Sequence, residues 1–124
     1  MVPIRPGEEP GARMVQMTVR ASLQVIHSAD AALQGKVFDL GGPEFTIGRE
    51  EGNHLVVSTE QASRRHARLV AGGGGFLVQD LGSTNGTYVN SKAVQEQRLI
   101  HGDVIRVATT VLKYVVGEGP PAAR

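Results

Sequence analysis

Three short segments of this 124-residue sequence gather side chains suited to holding an anion: Gly48-Arg49, Ser63-Arg64-Arg65-His66, and the run from Gly82 to Asn90, GSTNGTYVN. Arginine presents planar paired donors that match a phosphoryl group, and serine or threonine hydroxyls add short donors to its oxygens. The Asn85 side chain can donate and accept at once, which suits clamping a peptide main chain beside such an anion. Gly82 and Gly86 supply the turn geometry that brings a loop close to a ligand. This inventory fits recognition of a phosphate better than it fits a reaction centre.

Other chemistries draw on the same residues and fit them less well. A hydrolytic triad would need Ser63 and His66 with Asp80 or Asp103, yet Ser63 and His66 are only three residues apart and no G-x-S-x-G turn precedes the serine. A metal would have to use His27, His54, His66 and His101, which form no short ligand pair such as H-x-x-x-H. The chain has no cysteine, so thiolate zinc sites, disulfides and a cysteine nucleophile are excluded. Arg64, Arg65 and Arg68 make a basic cluster without interleaved aromatics, in a chain of net charge +1. A dedicated nucleic-acid binder needs more cations than that. No cofactor and no metal are expected.

These segments need a scaffold, and the punctuation of the chain is that of an all-β protein. The β-rich runs are Leu23–His27, Lys36–Leu40, Glu44–Ile47, His54–Val57, Ala67–Val70, Phe76–Gln79, Thr87–Asn90, Val104–Val107 and Val111–Val116, separated by Gly, Asn, Asp and Ser clusters. Phe38 and Leu40 flank Asp39, and Phe45 and Ile47 flank Thr46. Such alternation buries one face of an antiparallel sheet and leaves the other wet. The same alternation turns Arg68 away from Ala67 and Leu69. The Gly72–Gly75 run reads as a hairpin tip. Two stretches depart from the β pattern. Ser28–Gln34 (SADAALQ) is rich in alanine and opens on a capping residue, so it suits a helical turn. Ser58-Thr59-Glu60-Gln61 matches a capping box, and local propensity would carry a helix from Thr59 to Leu69.

The ends differ from the middle. Residues 1–16, with Pro3, Pro6, Pro10, Gly7 and Gly11, read as a flexible arm, and residues 118–124, with Gly119, Pro120 and Pro121, as a tail or linker. The first residues lack the apolar core of a secretory signal, and no apolar run approaches the roughly 18 residues of a membrane span. Hydrophobic residues at 40% and charged residues at 20% suit one globular domain over residues 17–117, expected in the cytoplasm. The Pro-Gly ends fit either a piece of a larger multidomain chain or a short free-standing protein.

The motifs in series resemble the forkhead-associated (FHA) domain family. That family is marked by Gly-Arg, Ser-x-x-His, Asn-Gly within a Ser/Thr-x-Asn-Gly-Thr context, and a late Gly-Asp turn. Here they stand as Gly48-Arg49, Ser63-x-x-His66, Ser83-Thr84-Asn85-Gly86-Thr87 and Gly102-Asp103, and the likeness runs from about Thr18 to Gly117. The resemblance implies an all-β fold: a two-sheet antiparallel β-sandwich of about eleven strands with recognition loops at one end. It implies phosphate contacts from Arg49, Ser63, Arg64 and Thr84, and a hydrogen bond from Asn85 to the ligand main chain. Gly48, His66, Gly86, Gly102 and Asp103 would form the frame. Gln61 and the stretch Ser91–Gln97 would read the ligand's flanking sequence. The implied function is that of a non-enzymatic adaptor in Ser/Thr-kinase signalling that binds phosphothreonine in protein partners, neither nucleic acid nor membrane. The alternative is an FHA-fold interaction domain whose binding ignores phosphorylation.

Overall fold

Alternation of side chains along the strands builds two layers. In β5 (Ala67–Gly72) Ala67 and Leu69 are fully buried while Arg68 and Val70 stay partly open, and in β11 (Thr110–Gly117) Thr110, Leu112 and Tyr114 point inward. The computed structural model describes residues 20–117. The expected arm over 1–16, the domain start at 17 and the tail over 118–124 lie outside the described residues.

The remaining strands are β1 (Arg20–His27), β2 (Val37–Asp39), β3 (Glu44–Gly48), β4 (Leu55–Val56), β6 (Gly75–Asp80), β7 (Thr87–Val89), β8 (Lys92–Val94), β9 (Glu96–Arg98) and β10 (Val104–Val107). One sheet runs β2-β1-β11-β10-β7-β8 and the other β4-β3-β5-β6-β9. All pairings are antiparallel except β3 with β4, which is parallel. The facing sides interleave Leu23, Val25, Ile47, Leu55, Leu69, Val78, Ile105 and Leu112, each at most 1% exposed. Complete burial of such a side chain contributes about 1.5–3 kcal/mol, so this interior holds the two sheets together.

The two doubtful stretches resolve differently. Within Ser28–Gln34 a single 3-10 turn forms at Ala31–Leu33, capped by Asp30, whose carboxylate accepts the Ala32 N–H at 3.0 Å. Ser58–Arg65 is not helical. Thr59 closes a tight turn through Ala62 N–H to its carbonyl at 3.0 Å, and the chain then runs beside β3, with Arg49 N–H on the Ser63 carbonyl at 2.9 Å. Pairing with the end of β3 replaces the helix that local propensity favours. The four glycines form the expected tip: Gly72 pairs with Gly75, and Gly73 and Gly74 take positive φ of 63° and 84°, a backbone region open to glycine.

The topology converges on one end of the sandwich. Ile47 faces Ala67, Ala67 faces Asp80, and Thr87 faces Val107. The exit of β3, the entry of β5, the exit of β6 and the entry of β7 therefore meet there, and residues 81–86 cross from one sheet to the other.

Candidate functional site

Arg49 follows directly from β3, and its exposure leaves the guanidinium in solvent. Gly48 before it is buried because the Arg64 carbonyl lies over its α-carbon. A Cβ there would overlap that oxygen and come within 2.8 Å of the Arg64 carbonyl carbon and 2.9 Å of Asn53 Nδ2. Only glycine lets the two arginine-bearing loops approach this closely. Backbone bonds then fasten them: Arg49 N–H to Ser63 O at 2.9 Å, Glu50 N–H to Arg64 O at 3.2 Å, and His66 N–H to Ile47 O at 2.9 Å.

His66 is fully buried and spans two loops. Its Nδ1 accepts the Ser63 N–H at 3.1 Å, and Nε2 lies 2.8 Å from the Gly86 carbonyl. These partners fix the tautomer, with the proton on Nε2 and donated to Gly86. One ring thus sets the distance between the Ser63 segment and the Asn85-Gly86 segment. Two further bonds cross the same gap: Thr84 N–H donates to Ser63 Oγ at 3.1 Å, and Asn85 Nδ2 donates to the Gln61 carbonyl at 2.8 Å.

Asp80 organises the 82–86 loop from below. Its carboxylate accepts the N–H groups of Gly82 and Ser83, both at 3.1 Å, the Ser83 hydroxyl at 2.5 Å and the Thr87 hydroxyl at 2.8 Å. Burial alone would raise its pKa. The hydroxyls of Ser83 and Thr87 and the two N–H groups outweigh that and hold it below the ordinary value of 3.8. Ser83 Oγ in turn accepts the Gly86 N–H at 2.9 Å, closing the loop on itself with Gly86 at φ 87°. A shallow hollow of about 320 Å³ lies against this loop, between Asp80, Asn85, Thr87 and Gln95.

The fold therefore brings Arg49, Gln61, Ser63, Arg64, Thr84 and Asn85 to one end, joined by Gly48, His66 and Gly86. It does not bring Gly102 and Asp103 there. They sit at the opposite end of β10, where the Asp103 carboxylate takes the Ile100 N–H at 2.9 Å and the Asn90 side chain at 3.0 Å. The Ser91–Gln97 stretch divides: Val89 pairs with Lys92 and Thr87 with Val94, so Ser91 lies at the far end and only the Val94-Gln95 part returns to the loops. A larger cleft of about 550 Å³ opens at that far end between Arg20, Asp39, Gly72, Phe76 and Tyr114. Among the described residues it holds the ion pair of Arg20 with Asp39 at 3.2 Å, so the Arg20 guanidinium there is already engaged.

Several of the side chains that the rival chemistries would use are engaged in other bonds. Both nitrogens of His66 are occupied by backbone groups, so neither faces the Ser63 hydroxyl as a base, and Asp80 and Asp103 hold loops. His54 Nδ1 takes the Thr46 N–H and His101 Nδ1 takes the Val116 N–H, each at 2.9 Å. Arg68 is tied to Glu44 at 2.9 Å and to Gln79 at 2.8 Å, which removes it from the basic cluster with Arg64 and Arg65. Sequence reasoning missed the roles of Asn53 and Asp80. The signal for Asp80 was present: an aspartate followed by Leu-Gly-Ser is placed to fold its own turn by bonding backbone two and three residues on.

Comparison with known proteins gives a consistent result. The FHA domain family matches residues 45–108. FHA domain-containing protein FhaB of Mycolicibacterium smegmatis is 39% identical over 85 residues, 68% of this chain and 55% of that protein. The chain spans about half the length of the curated relatives it matches. Among solved structures, one from a structural and functional study of phosphothreonine-dependent FHA domain interactions aligns with TM-score 0.68 and 33% identity, covering 77% of this chain and 95% of that one. EmbR of Mycobacterium tuberculosis, in complex with a low-affinity phosphopeptide, aligns with TM-score 0.73 and 26% identity over 89% of this chain and 29% of its own.

Proposed function

The chain belongs to the FHA domain family, and on that footing we propose that it binds phosphothreonine in protein partners as an adaptor in Ser/Thr-kinase signalling. The observation that carries this reading is the convergence of two exposed guanidiniums, two hydroxyls and an amide on loops cross-tied by His66. A phosphothreonine brings about −1.5 to −2 charge and three acceptor oxygens near neutral pH. Arg49 and Arg64 supply the countercharge. Ser63 Oγ accepts from Thr84 N–H, so its own proton is free to donate to a phosphate oxygen, and the Thr84 hydroxyl donates beside it.

Asn85 spends one amide proton on the Gln61 carbonyl. Its Oδ1 and second N–H remain to clamp the ligand main chain. Gln61 stands exposed at the rim, where a neutral side chain reads the flanking sequence without a charge requirement. We assign no turnover to this site, because the His66 imidazole and the Asp80 carboxylate, the bases nearest the Ser63 and Thr84 hydroxyls in the sequence, are engaged in holding loops. The absence of cysteine fits work in a reducing cytoplasm.

A degenerate phosphothreonine peptide library, screened beside its unphosphorylated counterpart, tests the reading and reads specificity together. Selective retention of phosphorylated members is expected. Equal retention of both libraries would instead support the phosphorylation-independent alternative.

A further inference from the structure

We propose that Asn53 is a positioning residue of this site, holding the loops that carry Arg49 and Arg64 in register; the inference rests on the phosphothreonine reading above. Asn53 lies between β3 and β4 and is 9% exposed. Its Nδ2 donates to the Glu50 carbonyl at 2.7 Å and to the Arg64 carbonyl at 2.9 Å. Both amide protons are thus spent on backbone, one beside each candidate phosphate-contacting arginine. The Arg64 carbonyl also receives the Glu50 N–H at 3.2 Å and lies over the bare α-carbon of Gly48. Gly48, Asn53 and Arg64 form one closed unit in which moving any member moves the others.

The second observation concerns what the amide leaves undone. Asn53 Oδ1 is buried and has no partner among the described residues. An orphaned buried acceptor costs stability, so the amide is held here for its donors, the two bonds that a leucine of similar size would forfeit. What the amide alone supplies is two donors, 2.7 and 2.9 Å from two carbonyls. A carboxylate in its place would set acceptors against acceptors.

The test compares Asn53→Leu, Asn53→Ser and Asn53→Asp with the wild type. The probe is a fluorescent phosphothreonine peptide taken from the library. Thermal denaturation and hydrogen exchange at the Glu50 amide are measured alongside. Asn53→Leu should remain folded yet bind at least about tenfold more weakly, and its Glu50 amide should exchange faster while those of Leu69 and Ile105 keep their protection. A folded variant has too small an unfolded fraction to lose affinity that way, so the loss reports position. Asn53→Ser, which keeps a hydroxyl donor at the position, should retain part of the affinity, and it serves as the measured variant if Asn53→Leu does not fold. Binding within about twofold of wild type in a folded variant, with the Glu50 amide equally protected, overturns the inference. A wild type that fails to bind any phosphothreonine peptide overturns the functional reading instead. Glu50 exchange then decides the role of Asn53 alone.

Discussion

Replacing His66 by leucine removes the cross-tie while keeping an apolar side chain of similar volume in a fully buried position. Two backbone groups lose their partners: the Ser63 N–H that met Nδ1 at 3.1 Å and the Gly86 carbonyl that met Nε2 at 2.8 Å. A buried group left unsatisfied costs about 1–3 kcal/mol. Both bonds are partly accessible, so the lower part of that range applies to each, and the sum is about 2–3 kcal/mol. A domain of this size has about 5–15 kcal/mol to lose, so the variant stays folded. With a urea dependence of about 1–2 kcal/mol per molar, its unfolding midpoint should fall by about 1–3 M at unchanged slope. Phosphopeptide affinity should fall as well, because the loops bearing Ser63 and Asn85 no longer share a fixed spacing. An unchanged midpoint together with unchanged affinity would refute the claim that His66 sets the site's width.

Asp80→Asn removes an acceptor of four hydrogen bonds. Because the folded-state pKa of Asp80 lies below its ordinary value of 3.8, its ionised form stabilises the fold fully above that value and the contribution is lost as pH falls through the folded pKa. Urea midpoints should therefore separate wild type from Asp80→Asn at pH 6 and converge in strong acid; a gap that widens in acid contradicts this. Gly73→Ala forces an alanine into φ 63° against the Arg98 guanidinium, 2.8 Å from the new Cβ. It should cost about 1–2 kcal/mol in denaturation and leave phosphopeptide titration unchanged, since the tip lies at the far end. Gly48→Ala, by contrast, pushes directly on the Arg64 carbonyl and should lower stability and phosphopeptide affinity together, measured by the same two assays.

Legibility in the sequence followed the strength of the local signal. Strands with one buried face, such as Val104–Val107, announce themselves by alternation, whereas in Glu44–Gly48 the Thr46 that alternation would leave wet is buried as well. β9 is exposed at all three residues, Glu96, Gln97 and Arg98, and β8 is nearly so, hence no pattern marks them. The capping box at Ser58–Gln61 is a true local preference that tertiary pairing overrides: Arg49 N–H goes to the Ser63 carbonyl at 2.9 Å and Glu50 N–H to the Arg64 carbonyl at 3.2 Å, and a helix over Thr59–Leu69 would forfeit both. Motif spacing named Arg49, Ser63, Arg64, Thr84 and Asn85 as candidates, and their loops meet at one end of the sandwich. Asn53 and the backbone contacts at Gly48 were not legible, because they depend on two loops meeting that are adjacent only in the folded sheet. Gly102-Asp103 was legible as a motif but not as a location, and its turn braces the end opposite the recognition loops.

The proposed role of this end of the sandwich is to read a phosphate. Isothermal titration of one phosphothreonine peptide and its unphosphorylated twin, with wild type and with Arg49→Ala, tests it most directly. Wild type should bind the phosphorylated peptide and not the twin, and Arg49→Ala, which removes charge-assisted bonds of about 1.5–3 kcal/mol each, should bind neither while unfolding at the wild-type midpoint. Equal heats from both peptides, or full affinity in Arg49→Ala, would mean that this end does not read a phosphate.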